Sequence, residues 1–153
     1  MLSSHQIIAV LHSIKTIVFA SVNTSLLKGT QMNRVVYNSN YGEFLLSMKA
    51  VEWLEQNCKD NKLREFIKSM RKDKCNSRVK DEFICCYVSD WFEDMRHHKD
   101  LVAVVEALGN DANGRDAKLA IANIDGNKYH IDQYDVAESV ITPEDSEHCI
   151  TID

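Results

Sequence analysis

From Glu43 to Leu108 the chain contains neither glycine nor proline, and its one proline, Pro143, comes near the end. These two residues break helices most effectively, glycine through backbone entropy and proline through its missing N–H and its ring. So long a stretch without them leaves the middle of the chain free to be helical wherever apolar spacing permits.

The spacing does permit it. Ile7, Leu11, Ile14 and Val18 mark one face of a helix over residues 5–22, capped by Ser3 or Ser4. Phe44, Met48, Val51 and Leu54 predict a helix over 43–57, and Leu63, Phe66, Ile67 and Met70 one over 62–72 capped by Asp60 or Asn61. Val79, Phe83, Cys86, Tyr87 and Trp91 follow along 78–96 with Ser77 as cap, and His97 and His98 close that helix. Asp100 caps a short helix over 101–108, with Gly109 as its C′ residue. Before these, Arg34–Tyr37 reads as a short strand or an irregular linker.

The tail changes period. Leu119–Ile124 and Asn127–Ile131 flank Asp125-Gly126, the favoured pair for a two-residue hairpin turn, and Val136–Ile141 offers a third strand. Thr142-Pro143 then reads as a helix start with Pro143 at the first helical position. We therefore expect an α+β fold. Four to five helices make a mainly helical domain, closed by a small C-terminal antiparallel β-hairpin or three-stranded sheet and a short helix or extended tail. At 153 residues the chain has the size of one domain, and 1–153 is read as a single domain.

The five cysteines are odd in number and irregular in spacing, which fits free thiols in a reducing, cytoplasmic setting. The apolar run Ile7–Val22 is interrupted by His12 and Lys15 and falls short of the roughly 20 residues of a membrane span. No membrane role is expected. So apolar a first helix sits deep in the fold or against a partner, and a homodimer through residues 7–22 is one such arrangement.

Charge is distributed unevenly. Residues 51–80 hold nine basic and five acidic groups, net +4, whereas residues 81–153 hold five basic and seventeen acidic groups, net −12. An acidic face attracts basic partners and repels phosphate. Besides Asp90, Glu93 and Asp94, the candidates for steering a basic protein partner are Asp111, Asp116, Asp132, Asp135 and Glu138, with Tyr134 as an adjacent aromatic anchor. The expected function is non-enzymatic protein binding, as by an inhibitor, immunity or antitoxin-like protein that masks the basic surface of a nuclease or other effector. Phe92 is a further candidate anchor, although aromatics at helical spacing more often belong to the core.

The alternative is a nucleic-acid-associated regulator using Lys68, Arg71, Lys72, Lys74, Arg78 and Lys80 against phosphates. Asp81 and Glu82, beside them, oppose that reading. A third possibility is a small hydrolase, but no serine, cysteine or histidine stands in a diagnostic catalytic context. Neither Asp111 nor Asn123 opens a run with the calcium-loop spacing, and no glycine-rich phosphate loop is present. Cys86 and His97 would lie about 16 Å apart along one helix, too far to share a zinc ion. No cofactor and no metal is expected, and no residue is assigned a catalytic role.

Overall fold

The computed structural model describes residues 32–72, 78–143 and 148–153, with backbone alone for 78–80. The helix expected over 5–22, with its homodimer face, lies outside these residues, as do the Ser77 cap and Lys74. Met32–Asp153 form one compact unit. Its elements are β1 (Asn33–Asn38), α1 (Met48–Asn57), α2 (Asn61–Lys72), α3 (Arg78–Trp91), α4 (Lys99–Leu108), a 3-10 turn (Gly109–Ala112), β2 (Leu119–Ile124), β3 (Lys128–Tyr134), β4 (Ala137–Ile141) and β5 (Ile150–Thr151). The fold is α+β: four helices among the described residues, with a two-stranded antiparallel sheet β1-β2 and a three-stranded antiparallel sheet β4-β3-β5.

Arg34–Tyr37 is strand, and the alternation of side chains along a strand explains why. Val36 enters the main core with Leu46, Val51, Leu54, Ile67, Val88 and Leu101, while Val35 turns to a second core with Ile124 and Tyr129. Both valines are fully buried, so β1 is the wall between helices and the three-stranded sheet.

The expected hairpin across Asp125-Gly126 does not form. β2 pairs along its whole length with β1, and β3 pairs instead with β4 and β5. The tight turn lies one strand later, where Tyr134 faces Ala137 across Asp135-Val136 at φ 48° and 63°. Two left-handed residues in succession match the twist of paired strands. Val136 therefore belongs to the turn, and β4 begins at Ala137. The helix expected after Thr142 falls largely on residues 144–147, outside the description, and the chain re-emerges in β5.

Helix boundaries shift where tertiary bonds compete. α1 starts at Met48, because Ser47 caps it by accepting from the Ala50 N–H at 3.1 Å. Phe44 precedes the helix, buried in extended chain. α3 ends at Trp91, earlier than expected. The following chain turns through Met95 N–H to Phe92 carbonyl and His98 N–H to Met95 carbonyl bonds, which carry Phe92 into the core. His98 then opens α4, its Nδ1 accepting from the Asp100 N–H at 3.2 Å. Asp100 is not the cap. It is buried and accepts the Lys59 and Asp60 N–H groups, both at 2.9 Å, fixing the turn into α2. Asp60 caps α2 by accepting from Lys62 and Leu63, and those bonds hold its carboxyl below the usual carboxylate range. Gly109 ends α4 at φ 54°, a backbone conformation that glycine adopts without steric cost.

Candidate functional site

Helix α3 is rotated from the placement its spacing suggested: of that stripe Trp91 packs against the core, while Phe83 and Tyr87 stay outside. Ile84, Cys85 and Val88 are buried, whereas Phe83 and Tyr87 are exposed and meet each other with tilted rings, centroids 4.2 Å apart. The face opposite Phe83 is the one that meets Leu46, Phe92 and the α4 residues of the core. Phe92 is fully buried, so it is no surface anchor; the exposed aromatic pair on this helix is Phe83 and Tyr87.

Beside α3 the loop 40–47 and the loop 113–118 lie backbone against backbone. Gly114 N–H donates to the Leu45 carbonyl at 2.8 Å, Ser47 N–H to the Ala112 carbonyl at 2.9 Å, and Ser39 N–H to the Lys118 carbonyl at 2.9 Å. A Cβ on Gly42 would come within 2.3 Å of the Asp116 carbonyl oxygen, and one on Gly114 within 2.6 Å of the Leu45 Cβ, so only glycine fits at either contact. The buried Asn38 side chain donates to the Gly42 carbonyl and accepts the Lys118 N–H at 2.8 Å, joining both loops to the end of β1.

Three hollows run in series between this clasp, α3 and the three-stranded sheet. The first, about 620 Å³, is lined by the clasp and by Asp81, Glu82, Cys85 and Cys86 of α3. The second, about 350 Å³, shares Glu43, Leu45 and Cys86 with the first and adds Asp90 and Glu93. The third, about 650 Å³, shares Glu93, Arg96, Gln133 and Glu138 with the second and ends at Asp94, His130 and His148. The result is a furrow bearing seven accessible carboxylates: Glu43, Asp81, Glu82, Asp90, Glu93, Asp94 and Asp116. Among the described residues, Arg115 on Glu82 is the one lysine or arginine paired with any of them.

The field of these acids is felt at the thiols on the furrow floor. Burial pushes Cys86 up, and Glu43, Asp90 and Glu82 push it further. Burial, with Cys86, Asp81 and Glu82 behind it, pushes Cys85 up to about 11. A nucleophilic cysteine needs surroundings that favour thiolate; these favour the thiol.

The residues singled out from sequence are placed as follows. Asp116 lines the first hollow, in a turn at φ 59°. Asp132, Tyr134 and Asp135 are exposed together on the β3–β4 hairpin, whose Gln133 lines the second and third hollows. Asp111 lies apart on the 3-10 turn, 3.1 Å from Lys49.

Glu138 is buried, not one of the exposed acids. Its side chain is 4% exposed and accepts from Arg96 at 3.0 Å and from the Asn38 N–H at 2.7 Å. The guanidinium of Arg96 in turn lies 3.3 Å from the Phe44 ring centroid, and the Arg96 carbonyl accepts from the Val36 N–H. The Glu138 carboxylate is a tie between β4, β1 and the turn after α3. Charge alone, read from sequence, does not separate such a buried carboxylate from a solvated one.

Two cations of the alternative basic patch are paired within the chain. Arg71 lies between Glu52 and Glu55 of α1, at 3.4 and 3.3 Å, and Lys68 pairs with Glu65 at 3.1 Å. Lys72 is exposed. Arg78 and Lys80 lie in the first turn of α3, their side chains outside the description along with Lys74. Among the described residues no group of three or more His, Cys, Asp or Glu side chains could hold a metal ion, and no helix is long and apolar enough to cross a membrane. Comparison of the chain with protein-family models, curated proteins and solved structures finds no match.

Proposed function

We propose that this chain is a non-enzymatic protein-binding domain whose acidic furrow engages a basic partner. The masked surface would be that of a nuclease or another effector that works through positive charge, in the manner of an inhibitor or immunity protein. The observation that carries the reading is the row of seven carboxylates along three connected hollows, only one of them paired with a lysine or arginine among the described residues. Carboxylates so arranged raise the local concentration of a cationic partner and orient it before contact.

Apolar contact would then hold the encounter. Phe83, Tyr87 and Tyr41 are exposed aromatics on the furrow's helix and loop; Tyr134, 81% exposed, follows the furrow-lining Gln133 on the hairpin and takes the other face of β3. Large aromatics dominate binding energy where they become buried. Cys58, Cys85 and Cys86 are free thiols, which supports a reducing, cytoplasmic setting.

The test is titration of the isotope-labelled chain with a short arginine- and lysine-rich peptide. Amide shifts are expected at Glu43, Asp90, Glu93 and Asp94, weakening with added salt. Joint substitution Asp90→Asn, Glu93→Gln and Asp94→Asn should abolish them. An unresponsive furrow at low salt would refute the proposal, and salt-sensitive binding of duplex DNA or RNA would return attention to the basic segment.

A further inference from the structure

The first hollow differs from the other two. Its carboxylates stand at a mouth, and behind them lie Leu45, Leu46, Met48 and the un-ionised Cys85. At about 620 Å³ it is within the range of ligand pockets, larger than one side chain and suited to a residue together with its neighbours. One wall is the glycine clasp, where two backbones touch, so the shape is present before anything binds. An apolar interior with an anionic mouth matches an amphipathic cation, one whose stem is apolar and whose head is charged.

The chain already holds a guanidinium at the edge of this hollow. Arg115, from the clasp, reaches Glu82 on α3 with its guanidinium, and both side chains are well exposed, at 71% and 59%. An exposed pair of this sort contributes little to stability, so it can be exchanged. Guanidinium is more weakly hydrated than ammonium, presents a planar fork to carboxylates, and stacks on aromatic faces. Asp81 and Asp116 flank the mouth, and Tyr41, 70% exposed, lines it.

We infer that this hollow is the anchor pocket for an arginine of the basic partner, and that the partner's guanidinium displaces Arg115 from Glu82. The inference rests on the furrow reading above and adds to it the residue recognised and the place. Arg115 acts as an internal competitor that sets the affinity threshold. A partner with arginine at the anchor gains Glu82 and the apolar walls; a polycation without one meets only the outer carboxylates.

The experiment uses the full chain and hexa-arginine, with hexalysine and spermine as comparison ligands, followed by calorimetry at low salt. Removing the competitor with Arg115→Ala should tighten hexa-arginine binding about two- to five-fold, the range an exposed ion pair supports. Glu82→Gln should weaken it, and hexalysine and spermine should bind more weakly than hexa-arginine. Lys99→Ala removes a positive charge from the exposed start of α4, outside the hollow, and should leave affinity nearly unchanged.

If Lys99→Ala tightens binding as much as Arg115→Ala, only net charge is at work and the inference fails. It fails equally if hexalysine or spermine matches hexa-arginine, or if the Arg115 and Glu82 variants bind like the parent. In those cases loss of binding in the Asp90, Glu93 and Asp94 variant would still uphold the wider furrow. No hexa-arginine binding to any form would sink both. Arg115→Gln, which keeps a polar side chain in place, should reproduce Arg115→Ala; an effect seen with alanine alone would mark a local packing change and overturn the inference.

Discussion

Replacing Glu138 by glutamine should destabilise the fold far more than loss of a surface acid would. The carboxylate sits 3.0 Å from Arg96, in a place where the two side chains are 4% and 9% exposed. Burial works against the Arg96 charge, and Glu138 is the strongest influence opposing that effect. Among the described residues two further guanidinium nitrogens of Arg96, Nε and Nη1, are buried without hydrogen-bond partners. Glutamine has a single acceptor oxygen, so it can still accept the Asn38 N–H but then turns its own NH2 toward Arg96, and the substitution removes both the charge and the acceptor that Arg96 uses. Leaving one member of a buried pair uncompensated costs about 3–5 kcal/mol, and the one hydrogen bond that glutamine keeps, to Asn38, places Glu138→Gln at the lower end, about 3 kcal/mol. With a urea slope of roughly 1–3 kcal/mol per molar, the midpoint should fall by about 1–3 M. The assay is urea unfolding followed by Trp53 and Trp91 fluorescence. The double variant Arg96→Met, Glu138→Gln removes the orphaned cation while the amide still serves Asn38, and it should be more stable than Glu138→Gln alone. A loss below about 1 kcal/mol, or a double variant no better than the single, would refute the account of this pair as a desolvated tie.

Val136→Gly should raise stability by about 0.5–1 kcal/mol, because a β-branched residue at φ 63° bears left-handed strain of about 1–2 kcal/mol that glycine lacks, less glycine's greater unfolded-chain entropy; an unchanged or lower urea midpoint contradicts it. His97 is depressed below its usual 6.5, chiefly by burial, and its Nδ1 lies 2.9 Å from the buried Tyr129 hydroxyl. Between its lowered folded value and pH 6.5 the folded protein thus binds fewer protons there than the unfolded chain, so this contribution is fully present above pH 6.5 and is lost as pH falls from there through the lowered folded value. His97→Gln should flatten the fall in stability measured between pH 7.5 and 5.5. Peptide mapping after iodoacetamide treatment at pH 7.5 should find Cys85 essentially unmodified, in line with a thiol at about 11, and rapid native alkylation there would mean that the α3 environment is misjudged. Gly114→Ala should destabilise by about 1–3 kcal/mol, since its Cβ would meet Leu45 at 2.6 Å in a contact made by backbone as well as side chain; a variant as stable as the parent in thermal unfolding would show that the clasp gives way.

Several features of the site were visible in the residues themselves. The acids Asp90, Glu93 and Asp94 stand together in sequence and also line the furrow. Glu43, Asp81 and Glu82 belong to it as well, but Glu43 precedes α1 and the other two open α3; only the meeting of the 40–47 loop with α3 makes them neighbours. Glu138 shows the opposite failure. It reads as one more acid in an acidic tail, yet Arg96 and Asn38 reach it from elements 42 and 100 residues away. Part of the aromatic face of α3, Phe83 and Tyr87, stays outside for a related reason. Phe83 and Tyr87 and the trio Ile84, Cys85 and Val88 both satisfy helical spacing with Trp91, which packs against the core, and the choice between them depends on which side Leu46, Phe92 and Leu101 fill.

Local chemistry therefore determined what is local: the helical middle, the Asp60 cap, the glycine that ends α4 and the strands of the tail. These depend on backbone preferences and on partners a few residues distant. Strand partnership, the early end of α3 and the fate of each charge were decided only by tertiary structure. β2 finds better company in β1 than across Asp125-Gly126, because pairing there lets Val35 and Val36 bury on opposite faces. Burial and desolvation are properties of the assembled molecule, so whether a carboxylate steers a partner or locks the core is settled where the chain folds back on itself.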